Sequence, residues 1–491
     1  MRELSPSVYV DTQFTDENLL YKHSMTDPVQ LKQNLTYLWG KDSDMFPLLT
    51  TLEGNGAFTT MKPKALNDSQ YKWKVFGRMK HTSRVVKLHD NITEPGKGQS
   101  SFRVIMEDGS LHHHYQVYTP DQKHQCRVQG EGKKIAEKQY LYTFTLSTGT
   151  MASYIDLSNF LAGKYWAWGA TKIPFSKSDG TASNSMVPGE WTNQYGGYRY
   201  SKQIAGNVAN KVTVIEFELE GGGTTNMWMP FEMKLFEMDN RLLNETDLWT
   251  SEYNRDENGV IHLFDEDSGE PISSGAGVKQ IIKTVNNYDT YSILTKAKLD
   301  STVKSVFNNR VDDTPMEIVM YTGRGGAEMF HNAIMKDAVL NQYFVTLGDK
   351  NVKDGKDGYM RYGRYFRQYE TIDGKLITIK IAKMFDHGVL AEQQRANGQM
   401  YEGYPWESYN MVFLDHSRTN DGDRNIMLVG EEGRIYDSKI YPGMSALPGS
   451  WGGIPDNFVA TRRDIASYEV IGTQGIAITN PTTCFWLQFE R

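Results

Sequence analysis

Cysteine is nearly absent. The 491 residues hold two, Cys126 and Cys484, far apart in the sequence, so no disulfide framework is expected and a reducing compartment is the natural setting. No apolar run reaches the roughly 18 residues of a membrane-spanning helix, so no passage through a membrane is expected. The first 30 residues lack the apolar segment of a signal peptide, which points to synthesis in the cytosol. Catalytic signatures are missing as well: there is no G-x-S-x-G elbow, catalytic cysteine motif or H-E-x-x-H pair. The carboxylate-rich run 265–270 (DEDSGE) lies in a polar loop with no apolar surroundings to raise a pKa. The chain also has no internal repeat and no low-complexity tail. These absences argue against an enzyme and call for no cofactor.

What is present belongs to a folded protein. Hydrophobic residues make up 39% and aromatics 12%, and the length allows roughly three domain-sized units. Glycine is frequent, 44 residues, which favours turns and strands over a helical bundle. Residues 1–60 are polar and weakly periodic, an extended arm with a short helix possible near 29–39. Residues 61–225 are rich in β-formers and turns. In 213–219 apolar and polar residues alternate as on a strand with one buried face. A triple glycine follows, and then a long amphipathic helix over 226–253. Pro230 suits its first turn, and Phe231, Leu235, Met238, Leu242 and Trp249 form the stripe expected to be buried. Residues 254–290 read as loop and short strand. A helix at 295–309, a buried strand at 316–321, a tight turn at 323–326 (GRGG) and a helix at 327–337 come next. Strands at 376–382, 409–415 and 425–430 and a closing set after 460 complete an α+β pattern.

Three local motifs have plain alternatives. Of His112, His113 and His114, only the outer two share a face of a strand, and no further ligand stands at a metal-site spacing, so a solvated strand is the simpler reading. Asp421, Asp423, Asn425 and Glu432 match ligand positions of a calcium loop. Ile426 occupies the position that demands glycine, which favours a hairpin turn. GRGG lacks the lysine and hydroxyl of a phosphate-binding loop.

Charge is distributed less evenly than the net −7 suggests. Between 62 and 87, eight basic residues face one acid, Asp68. Between 216 and 270, fifteen acids face Lys234, Arg241 and Arg255. Such asymmetry suits either pairing within the chain or complementary faces on neighbouring copies; two solvated faces are the plain alternative.

Taken in order, the arm, the long β-rich excursion, the strand carrying Ser201-Lys202-Gln203, the long helix, the glycine-containing loop and the helix–strand–helix resemble major capsid proteins of tailed bacteriophages with the Hong Kong-97-type fold. The likeness is greatest to those of crAss-like phages. It is architectural, covers essentially the whole chain and rests on no short motif. It implies an N-terminal arm at 1–60 and an E-loop region with a β-rich insertion at 61–225. A P-domain with its spine helix would occupy 226–339, an A-domain 340–450, and the return to the P-domain 451–491. It further implies self-assembly into hexamers and pentamers of an icosahedral head around double-stranded DNA, with portal and auxiliary or decoration proteins as partners. No long coiled-coil segment stands at the N-terminus, so no large internal scaffold is expected. On this reading the candidate inter-subunit contacts are Lys72, Lys74, Arg78, Lys80 and Arg84 on one side and Glu232, Glu237 and Glu245 on the other. Two rivals are a carbohydrate-binding tail or fibre component, suggested by Trp73, Trp166, Trp168 and Trp191, and a glycoside hydrolase, for which no carboxylate pair stands out.

Overall fold

A computed structural model describes residues 13–14, 45–52, 64–75, 80–176, 180–185, 187–205, 212–218, 224–308, 316–335, 344–346, 368–371, 376–419, 422–444 and 462–491. The helix expected at 29–39, Arg78, Asp421 and the side chain of Glu232 lie outside the described residues. The chain divides into two compact units, Lys74–Gly189 and the remainder, Met1–Trp73 with Glu190–Arg491.

The first unit is a closed antiparallel barrel. Its strands are β1 (Thr82–Leu88), β2 (Phe102–Met106), β3 (Tyr115–Tyr118), β4 (Gln125–Ala136), β5 (Gln139–Leu146) and β6 (Tyr165–Thr171), and they close in the order β1-β2-β5-β4-β3-β6. Alternation along β5 sends Tyr142, Phe144 and Leu146 inward, where they meet Phe102, Val104, Val128 and Trp166. Closure removes the free edges that an open sheet would expose. Trp166 is fully buried, with its indole N–H donating to the Asn159 carbonyl at 3.0 Å, and Trp168 is 8% exposed. Two of the four tryptophans proposed as a sugar platform are therefore core.

Among the described residues, besides two-stranded ribbons, the remainder holds two large sheets. One runs Gln13–Phe14, Gly196–Ala205, Ile465–Ile478, Ile426–Glu431 and Lys64–Leu66, with Tyr436–Tyr441 also paired to Ile465–Ile478. Within the closing set expected after 460, Ile465–Ile478 is one strand of 14 residues. The second sheet has seven strands, Tyr288–Tyr291, Phe485–Phe489, Met411–Asp415, Ile318–Thr322, Leu376–Ile381, Gln368–Thr371 and Phe344–Thr346. Ile318–Thr322 is buried along its whole length. That explains its continuous apolar run: a central strand covered on both faces has no reason to alternate.

Five helices matter below: α1 (Pro47–Leu52), α2 (Trp228–Thr250), α3 (Val278–Thr284), α4 (Lys296–Asn308) and α5 (Arg324–Met335). Helix α3 falls where the sequence suggested only loop and strand. Among the described side chains of α2 the buried ones are Asn240, Leu242, Asn244, Glu245, Leu248 and Trp249, whereas Leu235 is 37% exposed; the side chain of Phe231 lies outside the described residues. The expected stripe therefore holds in the second half of the helix and fails at Leu235, with Met238 half-buried. Beside the edge-on Phe236–Tyr468 pair, α2 meets the first sheet through hydrogen bonds. Tyr468 donates its hydroxyl to Glu237 at 2.6 Å, Tyr200 to Asn244 at 2.9 Å, and Gln474 reaches the Asn244 carbonyl and Asp247.

The GRGG segment is not a separate turn, because α5 begins at Arg324. A Cβ at Gly325 would stand 2.7 Å from the Tyr409 ring, and one at Gly326 2.0 Å from the Thr322 hydroxyl. The glycines let the first helical turn press against its neighbours. Its free amides are occupied: Arg324 N–H donates to Asp386 and Gly325 N–H to Ser408 Oγ.

Candidate assembly surface

Among the basic candidates, Lys72 lies on Gln70–Val75, the strand paired with Gly189–Gln194, and its ammonium meets Glu190 at 3.1 Å. Lys74 on the same strand is exposed. Lys80 is exposed with its ammonium 5.3 Å from the centre of the Tyr165 ring, and Arg84 stands 3.9 Å from Glu107 across the barrel surface. These contacts lie within one chain and leave the cations at the surface.

The acidic candidates divide. Glu237 is half-buried against Tyr468. Glu245 is fully buried and forms no part of an acidic surface. Its Oε1 accepts from Leu48 N–H and from the Trp249 indole, both at 2.8 Å, and its Oε2 accepts from Leu49 N–H at 2.8 Å. It therefore clasps the start of α1, whose residues are all buried, and acts inside its own chain. Burial pushes its carboxyl up to about 7, against the lowering effect of those donors and of Lys380. Lys380 approaches the same helix, with its ammonium 3.4 Å from the Pro47 carbonyl and 3.3 Å from Thr51 Oγ1. The sequence pattern could not reveal this, because the partner segment lies nearly 200 residues away and contributes backbone amides.

Among the described residues the exposed acids include Asp239 and Asp247 on α2 and most of those in a strap over 252–272 that follows the helix. Two aspartate turns shape it. Asp256 Oδ1 accepts from Asn258 and Val260 N–H, and Asp265 Oδ2 accepts from the Ser268 N–H and hydroxyl. Those donors, Val260 N–H foremost for Asp256 and the Ser268 hydroxyl for Asp265, hold both carboxyls below the usual range. Gly259 and Gly269 supply the left-handed residues that close the turns, at φ 80° and 71°. Bridges Arg255↔Ile261 and Phe264↔Pro271 stiffen the strap, and Arg255 anchors it to Gln194 at 2.5 Å. The strap exposes Val260 (49%), Leu263 (53%), Phe264 (51%) and Ile272 (42%). Sequence reasoning passed over these four; the signal was an apolar run between two Asp-x-x-Gly-like turns.

The other motifs resolve locally. His113 and His114 form a turn, with His114 at φ 71°, so the outer pair does not share a strand face. His112 is held by Glu131 and Asn184, while His114 meets the Arg127 guanidinium. Asp423 pairs with Lys64 at 3.0 Å, and Asn425 is buried with its amide on the Asp415 and Asn480 carbonyls. Neither faces a common ion. Among the described residues no group of three His, Cys, Asp or Glu is placed to hold a metal, and no helix is long and apolar enough to cross a membrane.

The sequence matches the family model described as Crassvirus major capsid protein over residues 10–491, and the chain belongs to that family of virion proteins. No curated protein matches it. Among solved structures, part of the chain is similar to the Mycobacterium phage Adephagia structure at 8% identity, covering 66% of this chain and 82% of that one, with a TM-score of 0.34. The Cyanophage Pam1 capsid asymmetric unit gives 9%, 65%, 82% and 0.31. The holo-SrpI encapsulin complex from Synechococcus elongatus PCC 7942 gives 9%, 63%, 77% and 0.30. At those scores the likenesses carry no weight beside the family match.

Proposed function

We propose that this capsid protein builds an icosahedral head of hexamers and pentamers around double-stranded DNA, in a Hong Kong-97-type arrangement. The family match along residues 10–491 carries the reading. On that basis 1–60 is the arm, 61–225 the E-loop region with the barrel as its insertion, and α2 the spine helix of a P-domain spanning 226–339. Residues 340–450 form the A-domain, and 451–491 return to the P-domain. Portal and auxiliary or decoration proteins are the expected partners, and the chain is made in the host bacterial cytoplasm.

Charge supports a mechanical role. The barrel unit 74–189 carries 15 Lys and Arg against 9 Asp and Glu, a net +6, while the whole chain is −7, which leaves −13 on the remainder. Lys72, Lys74, Arg78, Lys80 and Arg84 are the candidate cations toward neighbouring copies, and Glu232 and Glu237 the candidate acids opposite them. Surfaces of opposite sign guide identical copies into register, and an acidic inner wall does not bind the packaged genome tightly. Electron microscopy of the purified, expressed chain tests the reading. Closed shells or capsomer-sized rings are expected. Thin trimers would instead indicate a fibre component, and a monomer with glycosidase activity a hydrolase.

A further inference from the structure

The four exposed side chains Val260, Leu263, Phe264 and Ile272 sit on a strap held rigid by its own hydrogen bonds. Large apolar groups gathered on one rigid projection mark a contact surface more often than chance exposure does. The strap is also strongly acidic: residues 252–272 hold seven Asp and Glu against Arg255 alone. A partner must therefore offer apolar surface within a positive field.

The barrel unit has both properties. Its net charge is +6. The connection between β5 and β6 exposes Met151 (63%), Tyr154 (46%), Leu157 (46%) and Leu161 (59%), and Tyr165 (51%) follows at the start of β6 beneath the Lys80 ammonium. This connection is fixed as firmly as the strap. Asp156 caps the short helix Leu157–Phe160 through Ser158 N–H, and Gly98 N–H and Ile155 N–H tie it to the 95–98 turn.

We propose that the strap of one copy docks on the β5–β6 connection of a second copy, with Phe264 and Leu263 packing against Leu157, Leu161 and Tyr165 while Glu266 and Asp267 face Lys80 and Lys164. The inference rests on the self-assembly reading and names the surfaces it uses. Preformed loops on both sides lose little freedom on contact, so the apolar burial is not consumed in ordering the chain.

The test mixes two full-length variants, Phe264→Cys and Leu161→Cys, before assembly. The native cysteines are both buried and do not compete. Each variant carries one surface thiol, so a disulfide between them can form only between copies. Oxidation of assembled particles should give a mixed dimer from the mixture and none from either variant alone. Particles without that dimer, or with Phe264→Cys linked to itself, overturn the docking while leaving self-assembly standing. Failure of the parent chain to form particles overturns the assembly reading and the docking with it. A second arm uses Glu266→Lys with Asp267→Lys. Assembly at low salt should slow about tenfold and recover when Lys80→Glu and Lys164→Glu are added, because opposed charge acts mainly on encounter. Assembly at the parent rate, or slowing without recovery, counts against the proposal.

Discussion

The barrel unit and the remainder of the chain bury their cores by different routes. Every strand of the barrel pairs with a strand from the same continuous stretch, and its core residues run from Val85 to Trp168. In the remainder, Trp249 on α2 makes edge contacts with Tyr321, Phe385 and Trp486, while Phe46 and Leu49 enter the same cluster from the other end of the sequence. Contacts close in sequence form early and survive excision, whereas distant ones need the whole chain in place. The charges follow the same division, +6 on the barrel and −13 elsewhere. One core is closed by contacts within a single stretch and the other by contacts between both ends of the chain.

The largest effect should come from that junction. Trp249→Ala removes a fully buried ring and should destabilise the remainder by about 3–5 kcal/mol. Hydrogen exchange should show protection lost in Ile318–Thr322 and Phe485–Phe489 but kept in β2 and β5. The excised segment 74–189 should in turn unfold cooperatively by itself. Protection lost equally in both units, or an excised segment without a cooperative transition, would break the contrast.

A smaller effect sharpens the reading of α2. Leu242 is 8% exposed and Leu235 37%. Leu242→Glu should cost about 3 kcal/mol or more, because a carboxylate is placed in the core, and Leu235→Glu about 1 kcal/mol or less within a single chain. Urea denaturation of both measures it. If Leu235→Glu folds like the parent yet fails to assemble, the exposed half of the stripe meets another subunit.

The differences between expectation and structure have physical causes. The strand before the triple glycine, the length of α2 and the unbroken apolar run at Ile318–Thr322 were legible, since each depends on residues within a few positions of one another. Glu245 was not. Its place on a long acidic helix suggests solvent, and only the arrival of α1 buries it. Leu235 failed for the converse reason, because periodicity shows which side of a helix is apolar but not how far along it the core extends. The strap's apolar side chains were hidden by the acids around them.

Protonation offers a finer probe of the distant contact. The Glu245 carboxyl is raised from 4.5 to about 7 in the folded chain. Between those values the folded state holds a proton that the unfolded state has lost, so stability falls as pH rises through the window. The slope there reaches at most about 1.4 kcal/mol per pH unit. Above about 7 both states are ionised and this contribution is spent. Lys380, Tyr321 and Arg241 lie around the clasp, and Tyr321 meets His416, whose imidazole burial holds down to about 3 and whose own contribution to stability rises with pH below about 6.5. Glu245→Gln should lose this falling contribution, so the difference between its urea midpoint and the parent's should change with pH between 4.5 and about 7, and a constant difference would remove Glu245 as a source. The barrel, which lacks this group, should show no such fall when excised.

The smallest effect on folding, and the most telling for assembly, concerns Lys72. Its pair with Glu190 is exposed on both sides, so Lys72→Glu should cost only about 0–1 kcal/mol. Adding Glu190→Lys restores an opposite-charge pair and should return that loss. If the pair serves only the ribbon between Gln70–Val75 and Gly189–Gln194, the double exchange restores assembly as well. If Lys72, with Lys74 beside it, also meets acidic surface on another copy, combining the exchange with Lys74→Glu should leave a stably folded chain that assembles slowly at low salt. That defect should vanish as the Debye length falls to about 3 Å near 1 M salt, since exposed charges beyond that distance no longer act on one another. Light scattering of assembly at two ionic strengths, beside the urea midpoint, separates the two roles. A defect that persists at high salt would mean the strand itself was damaged, and parent-like assembly at both would confine Lys72 and Lys74 to their own chain.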